Sequence, residues 1–318
     1  MQHIFVAVPT YKESGKIQSL LASFALINPP EVSILIANGN PGDETTDLVR
    51  ASAGKGQPVH EIPGNRSLFW SGLTNLAIRH AVKVGGLDDF LMLMNADVTF
   101  TTDVLAAMRR KSRELGPCVL AALTSAHGSI VSSGASAKSW VLGMNRHPFA
   151  GEALSAVDPT QVVPVDFLPG RCTMIPLSAV RAAGGINEDR LPHYGGDYEF
   201  AWRLKRAGYP LFLFTGAVVE CDVENTGNCV FFKRASLGWR LRGLFSIRSI
   251  NNPLYRTRYV WLVYPLYACP TATLVFLGKS LLSVFLGGAR IRALFPYNET
   301  GLAGSGRAFA SNQAPNHA

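Results

Sequence analysis

Residues 90–98 read FLMLMNADV. A short, unbroken apolar run ends abruptly in Asn95 and Asp97. Continuous apolar character over so few residues suits a strand buried on both faces. Three more runs of this kind lie upstream: IFVAVP (4–9), VSILIAN (32–38) and the weaker PVHEIP (58–63). Helical patterns separate them. Ile17, Leu20, Leu21 and Phe24 share a face across 15–27, and DETTDLVR (43–50) carries acids in its first turn. Leu73, Leu76, Ala77, His80 and Ala81 share a face across 70–84. Strands alternating with helices predict an α/β fold, a mostly parallel sheet covered on both faces. Ligands of such sheets bind beyond the carboxyl ends of the strands. The polar loops TYKES, NGNPGD and NADV would all fall on that edge.

From about 118 to 225 the pattern is mixed. Strands are expected at 118–124, 162–168 and 210–219, with helices at 177–183 and 197–208. The last helix opens HYGGDYEFAWRLKR (193–206), with Asp197 directly after two glycines. Two roles are open for Asp197: a helix cap, or a general base made anionic by the helix terminus. The glycines would leave room for a substrate against the backbone. Glu199 faces away from Asp197 and is expected to orient a substrate or bond a neighbour. Asp97 likewise has two readings. It caps a helix beginning near 101, or it is a ligand for Mg²⁺ or Mn²⁺, ions that take one or two carboxylates plus phosphate oxygens.

The chain has 318 residues, of which 47% are hydrophobic and 16% charged, enough for a sizeable core. Five cysteines without a C-x-x-C spacing indicate buried thiols and neither a disulfide framework nor a zinc site. The formal net charge of +8 is unevenly spread. Residues 1–228 hold 19 Lys/Arg and 21 Asp/Glu, whereas residues 229–318 hold 11 Lys/Arg and a single acid, Glu299.

The motifs VAVPTYKES, ILIANGNPGDETTD, GNRSLFWSGLTNLAIRHA, FLMLMNADVTF and LPGRCTMIPLSAVRAAGGINEDRLPHYGGDYEFAWRLKRAGYPL resemble, in order and spacing, those of family-2 glycosyltransferases. The likeness covers roughly 3–228 and is nearest to the rhamnosyltransferase-like members that build bacterial surface polysaccharide. It implies a GT-A fold and inverting transfer from a nucleotide-diphosphate sugar to a saccharide or lipid-linked hydroxyl. NADV resembles the family's metal-binding D-x-D, which makes Asp97 the metal ligand and puts Asn95 beside the donor. GGDYEF resembles the motif that supplies the base, Asp197. By the same resemblance Pro9, Thr10, Tyr11, Glu13, Asn38 and Asn75 contact the nucleotide, and Gly170 and Arg171 lie near the donor sugar. Three departures stand out. Ala37 replaces an acid that contacts the base, Asn95 replaces the first acid of D-x-D, and GAVVECDVENTG lacks a metal-side histidine. Asn38, Glu220 or Asp222, and His193 are the candidate substitutes.

Residues 230–258 mix Lys233, Arg234, Arg240, Arg242, Arg248, Arg256 and Arg258 with apolar side chains. YVWLVYPLYACPTATLVFLG (259–278) then runs without a charge. At ~1.5 Å per residue this is ~30 Å, a bilayer core. A transmembrane helix, an in-plane anchor on anionic lipid and a segment packed on the catalytic domain are all consistent with it. No nucleic-acid motif accompanies the basic region. The expected organisation is a catalytic domain at 1–228, a membrane-associating region at 229–302 and a disordered tail at 303–318. The start of the chain lacks a basic-then-apolar segment, so the catalytic domain is expected on the cytoplasmic face of a bacterial plasma membrane. Two other classes compete: an inactive membrane-bound partner in polysaccharide assembly, motivated by Ala37 and Asn95, and a nucleotidyltransferase, disfavoured because TYKES lacks a Gly-rich phosphate loop.

Overall fold

A computed structural model describes residues 2–54, 56–131, 133–222 and 237–294, with the side chains of 286–294 excepted. The first half alternates as the sequence predicts: β1 (Ile4–Thr10), α1 (Ser14–Ile27), β2 (Val32–Asn38), α2 (Glu44–Ser52), β3 (Val59–Pro63), α3 (Phe69–Val84) and β4 (Phe90–Leu93). Next come β5 (Val98–Thr99), α4 (Val104–Leu115), β6 (Val119–Ala126), β7 (Ser129–Ile130), and the hairpin of β8 (Ser136–Ser139) and β9 (Met144–Arg146). β10 (Val162–Pro164), β11 (Thr173–Pro176), α5 (Leu177–Ala183), α6 (Gly196–Arg206) and β12 (Leu211–Cys221) complete the sheet region. Three helices follow: α7 (Leu237–Leu244), α8 (Pro253–Val263) and α9 (Cys269–Leu294).

The sheet order is β10-β12-β6-β11-β4-β1-β2-β3. β4, β1, β2 and β3 run parallel, and β12 runs parallel to β6. Between these two parallel groups β11 is antiparallel to both neighbours. The alternation of side chains along each strand feeds two cores. Ile4, Val6 and Val8 face α1 and α4 through Ile17, Leu20, Phe24, Leu105 and Met108. Phe5 and Ala7 face α3, α5 and α6 through Leu73, Ala77, Val180, Phe200 and Leu204. This is the expected mostly parallel α/β sheet of the GT-A fold.

Several boundaries differ from expectation. β4 ends at Leu93, short of the apolar run, and the chain turns at Ala96–Asp97, where the Val98 N–H donates to Asn95 O at 3.3 Å. The helix expected near 101 begins at Val104, and Asp103 caps it by accepting from the Ala106 N–H at 2.9 Å. Asp97 is therefore not its cap. The uncharged run 259–278 is not one helix. α8 stops at Val263, the backbone is extended at Tyr264, and Pro265 cannot supply an N–H to continue the ladder. α9 restarts at Cys269.

The last helices pack on the catalytic region. Tyr259, Val260, Val263, Tyr264, Cys269, Ala272 and Phe276 join Phe167, Leu191 and Tyr198 in a third core. Trp140 stacks edge-on against Tyr264 and Trp202, with ring centroids 4.9 and 5.4 Å apart. Cys118, Cys172, Cys221 and Cys269 are buried free thiols. Cys229, Lys233, Arg234, the expected boundary at 228 and the expected tail 303–318 lie outside the described residues.

Candidate active site

Strand register decides what meets at the carboxyl edge. Leu93 of β4 pairs with Thr173 of β11, so the residues just beyond each, Asn95 and Arg171, leave the sheet side by side. Met94 N–H donates to Ala7 O at 3.1 Å, which brings the Thr10–Tyr11 turn to the same edge. Cys221 pairs with Val98, and the Asp222 N–H donates to Asp97 O at 3.3 Å. Four chain segments distant in sequence thus converge on Asp97.

Asp197 reaches this place from α6. Its Oδ2 accepts from the Gly170 N–H at 3.1 Å and its Oδ1 from the Tyr198 N–H at 2.9 Å. Arg171, next to Gly170, exerts its charge on both Asp97 and Asp197. The two acids proposed from separate motifs therefore share one cation.

The glycines before Asp197 do not make space for substrate. Gly195 enters α6 with φ of 80°, and a Cβ there would stand 3.2 Å from the Tyr259 ring. A Cβ on Gly196 would stand 2.7 Å from Ser71 Oγ. The Ser71 hydroxyl donates to Leu191 O at 2.6 Å and its N–H donates to Pro192 O at 3.0 Å, so α3 clamps the loop that carries Asp197. Gly170 is required in the same way, because its Cβ would lie 2.4 Å from the Trp70 indole. Trp70 Nε1 in turn donates to Asn95 Oδ1 at 3.0 Å. An amide at this position therefore accepts from an indole, as part of the site wall.

The electrostatics depart from the helix-terminus expectation. Burial is the largest influence on Asp197 and raises its pKa; the Gly170 and Tyr198 N–H groups and Arg171 pull the other way without cancelling it. Asp97 is also raised by burial, opposed by Arg171 and Lys16. Burial works to lower Lys16, but its 2.8 Å bond to Glu13 and the charges of Glu13, Asp97 and Asp222 outweigh it and raise its pKa. Burial and the Arg248 charge push His193 down to about 4, so its imidazole is neutral at physiological pH.

Four buried polar atoms around this edge have no hydrogen-bond partner: Thr10 Oγ1, Asp97 Oδ1, His193 Nδ1 and Tyr259 Oη. Buried polar groups are rarely left so, and such orphans mark places where a ligand completes the bonding. Backbone strain gathers here too. Lys12, Phe69 and Cys172 have φ of 56°, 49° and 51°, each beside a site residue: Tyr11, Trp70 and Arg171.

Not every expected residue faces this place. Asn38 is fully buried, with its amide donating to Asp43 Oδ1 (3.1 Å) and Glu61 Oε1 (2.9 Å) and accepting from the Asn40 N–H (2.9 Å). It braces the loop after β2, with both amide N–H groups bonded within the protein. Ala37, the penultimate residue of β2, is fully buried. Asn75 donates to Ile186 O and Glu188 Oε2 and accepts from the Ile186 N–H, at 2.8, 2.9 and 2.8 Å. It ties α3 to the 184–188 loop. Glu199 is a bidentate partner of Arg203, at 2.7 and 3.0 Å, as a neighbour-bonding residue should be. Glu220 is engaged by the Ser125 hydroxyl, which leaves Asp222 as the acid whose backbone is tied to Asp97. Pro9 closes β1 opposite Ala37, and Tyr11 lies over Gly39, whose Cβ would stand 3.2 Å from its ring. Sequence reasoning did not find Lys16, Trp70, Tyr194 or Tyr259; Trp70 and Tyr194 lie within quoted motifs, but nothing local assigns them a role.

Comparison with known proteins agrees with this fold. A model described as glycosyl transferase family 2 matches residues 5–142, and one described as glycosyl transferase family group 2 matches residues 151–297. The chain belongs to glycosyltransferase family 2. The glycosyltransferase is 25% identical over 299 residues to an N-acetylglucosaminyl-diphospho-decaprenol L-rhamnosyltransferase of Mycobacterium tuberculosis, covering 80% of this chain and 94% of that one. Its fold is similar to GalNAc-T7 crystallised with UDP, GalNAc and Mn²⁺, with a TM-score of 0.55, 12% identity and coverage of 93% of this chain. It is similar also to the Staphylococcus aureus protein TarS, with a TM-score of 0.54, 14% identity and coverage of 89%. The chain spans 58% and 55% of the length of these two structures. A third, the mannosyltransferase PcManGT of Pyrobaculum calidifontis with GDP-Man and Mn²⁺, has a TM-score of 0.51 at 16% identity, and the match covers 92% of this chain and 78% of that one. At these identities the structures establish the fold.

The residues fit a divalent ion of modest protein ligation. Asp97 presents a buried, unpartnered carboxylate oxygen, and among the described residues no group of three or more His, Cys, Asp or Glu forms a metal cage. A Mg²⁺ or Mn²⁺ ion that keeps several waters and binds substrate phosphates needs no more than this.

Proposed function

We propose that the glycosyltransferase moves a sugar of the rhamnose class, with inversion, from a nucleotide-diphosphate donor to a hydroxyl of a lipid-linked saccharide in surface polysaccharide synthesis. The observation that carries this reading is that Asp197 accepts from the Gly170 N–H while Trp70 packs on Gly170 and bonds Asn95, two residues from Asp97, so the two motifs meet at one place. The rhamnosyltransferase relative, aligned along most of both chains, supports the sugar and the lipid-linked acceptor.

The residues divide the work. Asp197, fixed by the Gly170 and Tyr198 N–H groups, accepts the proton of the acceptor hydroxyl. The acceptor oxygen forms the new bond to the anomeric carbon as the carbon–oxygen bond to the diphosphate breaks, and that electron pair leaves with the diphosphate. Mg²⁺ or Mn²⁺ held by Asp97 would supply neutralisation of the charge growing on the diphosphate. Arg171 adds a positive charge that acts on both acids. Thr10, Tyr11, Glu13 and Asn95 wall the donor side. Asn38 and Asn75 act through the loops they brace.

The same reading places the enzyme at the cytoplasmic face of a bacterial plasma membrane. Among the described residues one stretch, Leu266–Phe285, is long and apolar enough to cross a bilayer. Ala272, Phe276, Ser280 and Val284 of α9 are buried, whereas Leu274, Leu277, Leu281 and Phe285 are exposed in a stripe at helical spacing. A helix with one face on protein and one apolar face outward supports in-plane contact with a membrane surface.

The test is transfer from UDP-, dTDP- and GDP-sugars, each with Mn²⁺, to polyprenyl-diphosphate-linked N-acetylglucosamine, read by mass spectrometry. Metal-dependent addition of one deoxyhexose is expected. Addition of no sugar, or product with a retained anomeric configuration, would overturn the reading.

A further inference from the structure

We infer that Arg248, in the connection between α7 and α8, is a diphosphate-binding residue that acts with Arg171 to close the transferase site. The inference rests on the transferase reading only for the source of the diphosphate.

Arg248 lies outside the sheet region, in the basic stretch that the sequence assigns to the membrane. Its guanidinium is nevertheless 5.8 Å from the centroid of the Tyr11 ring, in the turn after β1. Its charge also reaches His193 and Tyr194, in the loop before α6. It therefore spans the two loops that form opposite sides of the site. Tyr194 feels both Arg171 and Arg248. Arg171 also acts on Asp97 and Asp197, so the influence of the two guanidiniums overlaps at Tyr194.

Among the described residues neither arginine makes a salt bridge, although Arg79, Arg203 and Lys205 do. Arginines in ion pairs are spent; this pair is not. Arg248 is exposed, and the neighbouring His193 Nδ1 is buried without a partner. Two unpaired guanidiniums, an orphaned imidazole nitrogen and an aromatic wall suit a group with several anionic oxygens spread over two centres. A diphosphate has that shape, and guanidinium forks match phosphate oxygens. Such a group is present in both proposed substrates, the nucleotide donor and the lipid-linked acceptor.

The placement has a structural basis. α8 is anchored by Asn252, whose side chain accepts from the Leu254 and Tyr255 N–H groups at 3.0 and 3.4 Å and donates to Ser246 O at 3.0 Å. Tyr259 of the same helix packs against Gly195. The short connection carrying Arg248 is thus held at both ends.

The experiment uses the full chain in detergent, as wild type, R248A, R248K and R242A. Arg242 is exposed on α7, so R242A removes the same charge away from the site. Affinity for pyrophosphate and for UDP, dTDP and GDP with Mn²⁺ is measured by calorimetry, and KM is measured for donor and for polyprenyl-diphosphate-linked acceptor. R248A should weaken one diphosphate by roughly tenfold or more, because it removes a charge-assisted contact. R248K should recover part of this and R242A should match wild type. Loss of nucleotide and pyrophosphate affinity assigns the donor diphosphate; a raised acceptor KM with normal nucleotide binding assigns the acceptor's. R248A with unchanged affinities and both KM values unchanged overturns the inference while leaving the transferase reading intact. A wild type that binds pyrophosphate through Arg248 but transfers no sugar does the reverse.

Discussion

The loop after β2 and the loop after β4 both end parallel strands at the same edge of the sheet, and both carry an asparagine-rich polar motif. They do opposite jobs. In the first, every polar atom of Asn38 is satisfied inside the protein, by Asp43, Glu61 and Asn40. In the second, Asp97 keeps a buried carboxylate oxygen with no partner, while a basic side chain stands on either hand. The asparagine of the first loop is bonded within the protein; the aspartate of the second leaves an acceptor open. The same contrast separates Asn75, fully bonded, from Thr10 and His193, which are not. At these motif positions, bonding within the protein separates the asparagines that brace loops from the groups left open at the edge.

Substitutions should respect that division. The largest effect is expected at Asp97. D97A should lower metal-dependent kcat/KM by roughly 10²–10⁴-fold, the scale of a lost charge-stabilising group, and should abolish the Mn²⁺ dependence of donor binding in calorimetry. D97N should have a second signature. Burial raises the Asp97 pKa, so the folded state holds this proton more tightly than the unfolded chain. Stability is therefore lost as pH rises through the interval between the ordinary carboxylate value and the folded one. D97N removes that loss, so without metal at neutral pH it should melt at or above wild type, as scanning calorimetry can check. A lower melting temperature would mean that Asp97 is scaffold.

Asn75 should behave in the opposite sense. N75A strands the Ile186 backbone groups and Glu188, at a cost of roughly 1–3 kcal/mol in unfolding free energy. Donor affinity measured on the folded protein should stay within about twofold, far below the tenfold worth ~1.4 kcal/mol. A large loss of donor affinity with normal stability would place Asn75 on the nucleotide. The smallest effect is expected at Trp70. W70F deletes the bond to Asn95 together with the outer indole atoms that pack on Gly170. It should cost about 1–2 kcal/mol of stability and raise the donor KM by a few-fold.

The parallel strands were legible because their apolar runs are local and uninterrupted; β2 matches its expected bounds and β1 differs by one residue. β11 was not legible. Its four residues, TMIP, become a strand only by pairing with β4 and β6, far away in sequence. That insertion is also what sets Arg171 beside Asn95. The positions of Asp97 and Asp197 could be read from their motifs, but the protonation of Asp197 could not. A helix terminus predicts a lowered pKa, whereas tertiary burial reverses the sign. The role of the glycines was misread for a related reason: Ser71 and Tyr259 fill the space that their missing side chains leave. Arg248 carried no local signal, being one arginine in a basic stretch. Pro265 was visible, yet only the packing of both flanking helices on Phe167, Leu191 and Tyr198 shows that the apolar run folds back at that proline.

The central claim, that Asp197 is the base of a single site shared with Asp97, is tested most directly by the pH dependence of transfer. A general base works deprotonated, so kcat should fall as pH drops through its pKa, and burial puts that pKa above the usual carboxylate value. Wild type should show an acid limb displaced upward from the ordinary carboxylate range. D197N should bind the donor with Mn²⁺ as wild type does, lose the limb, and transfer at a rate roughly 10²–10⁴-fold lower. Transfer by D197N at the wild-type rate, or with the acid limb unchanged, would contradict the account.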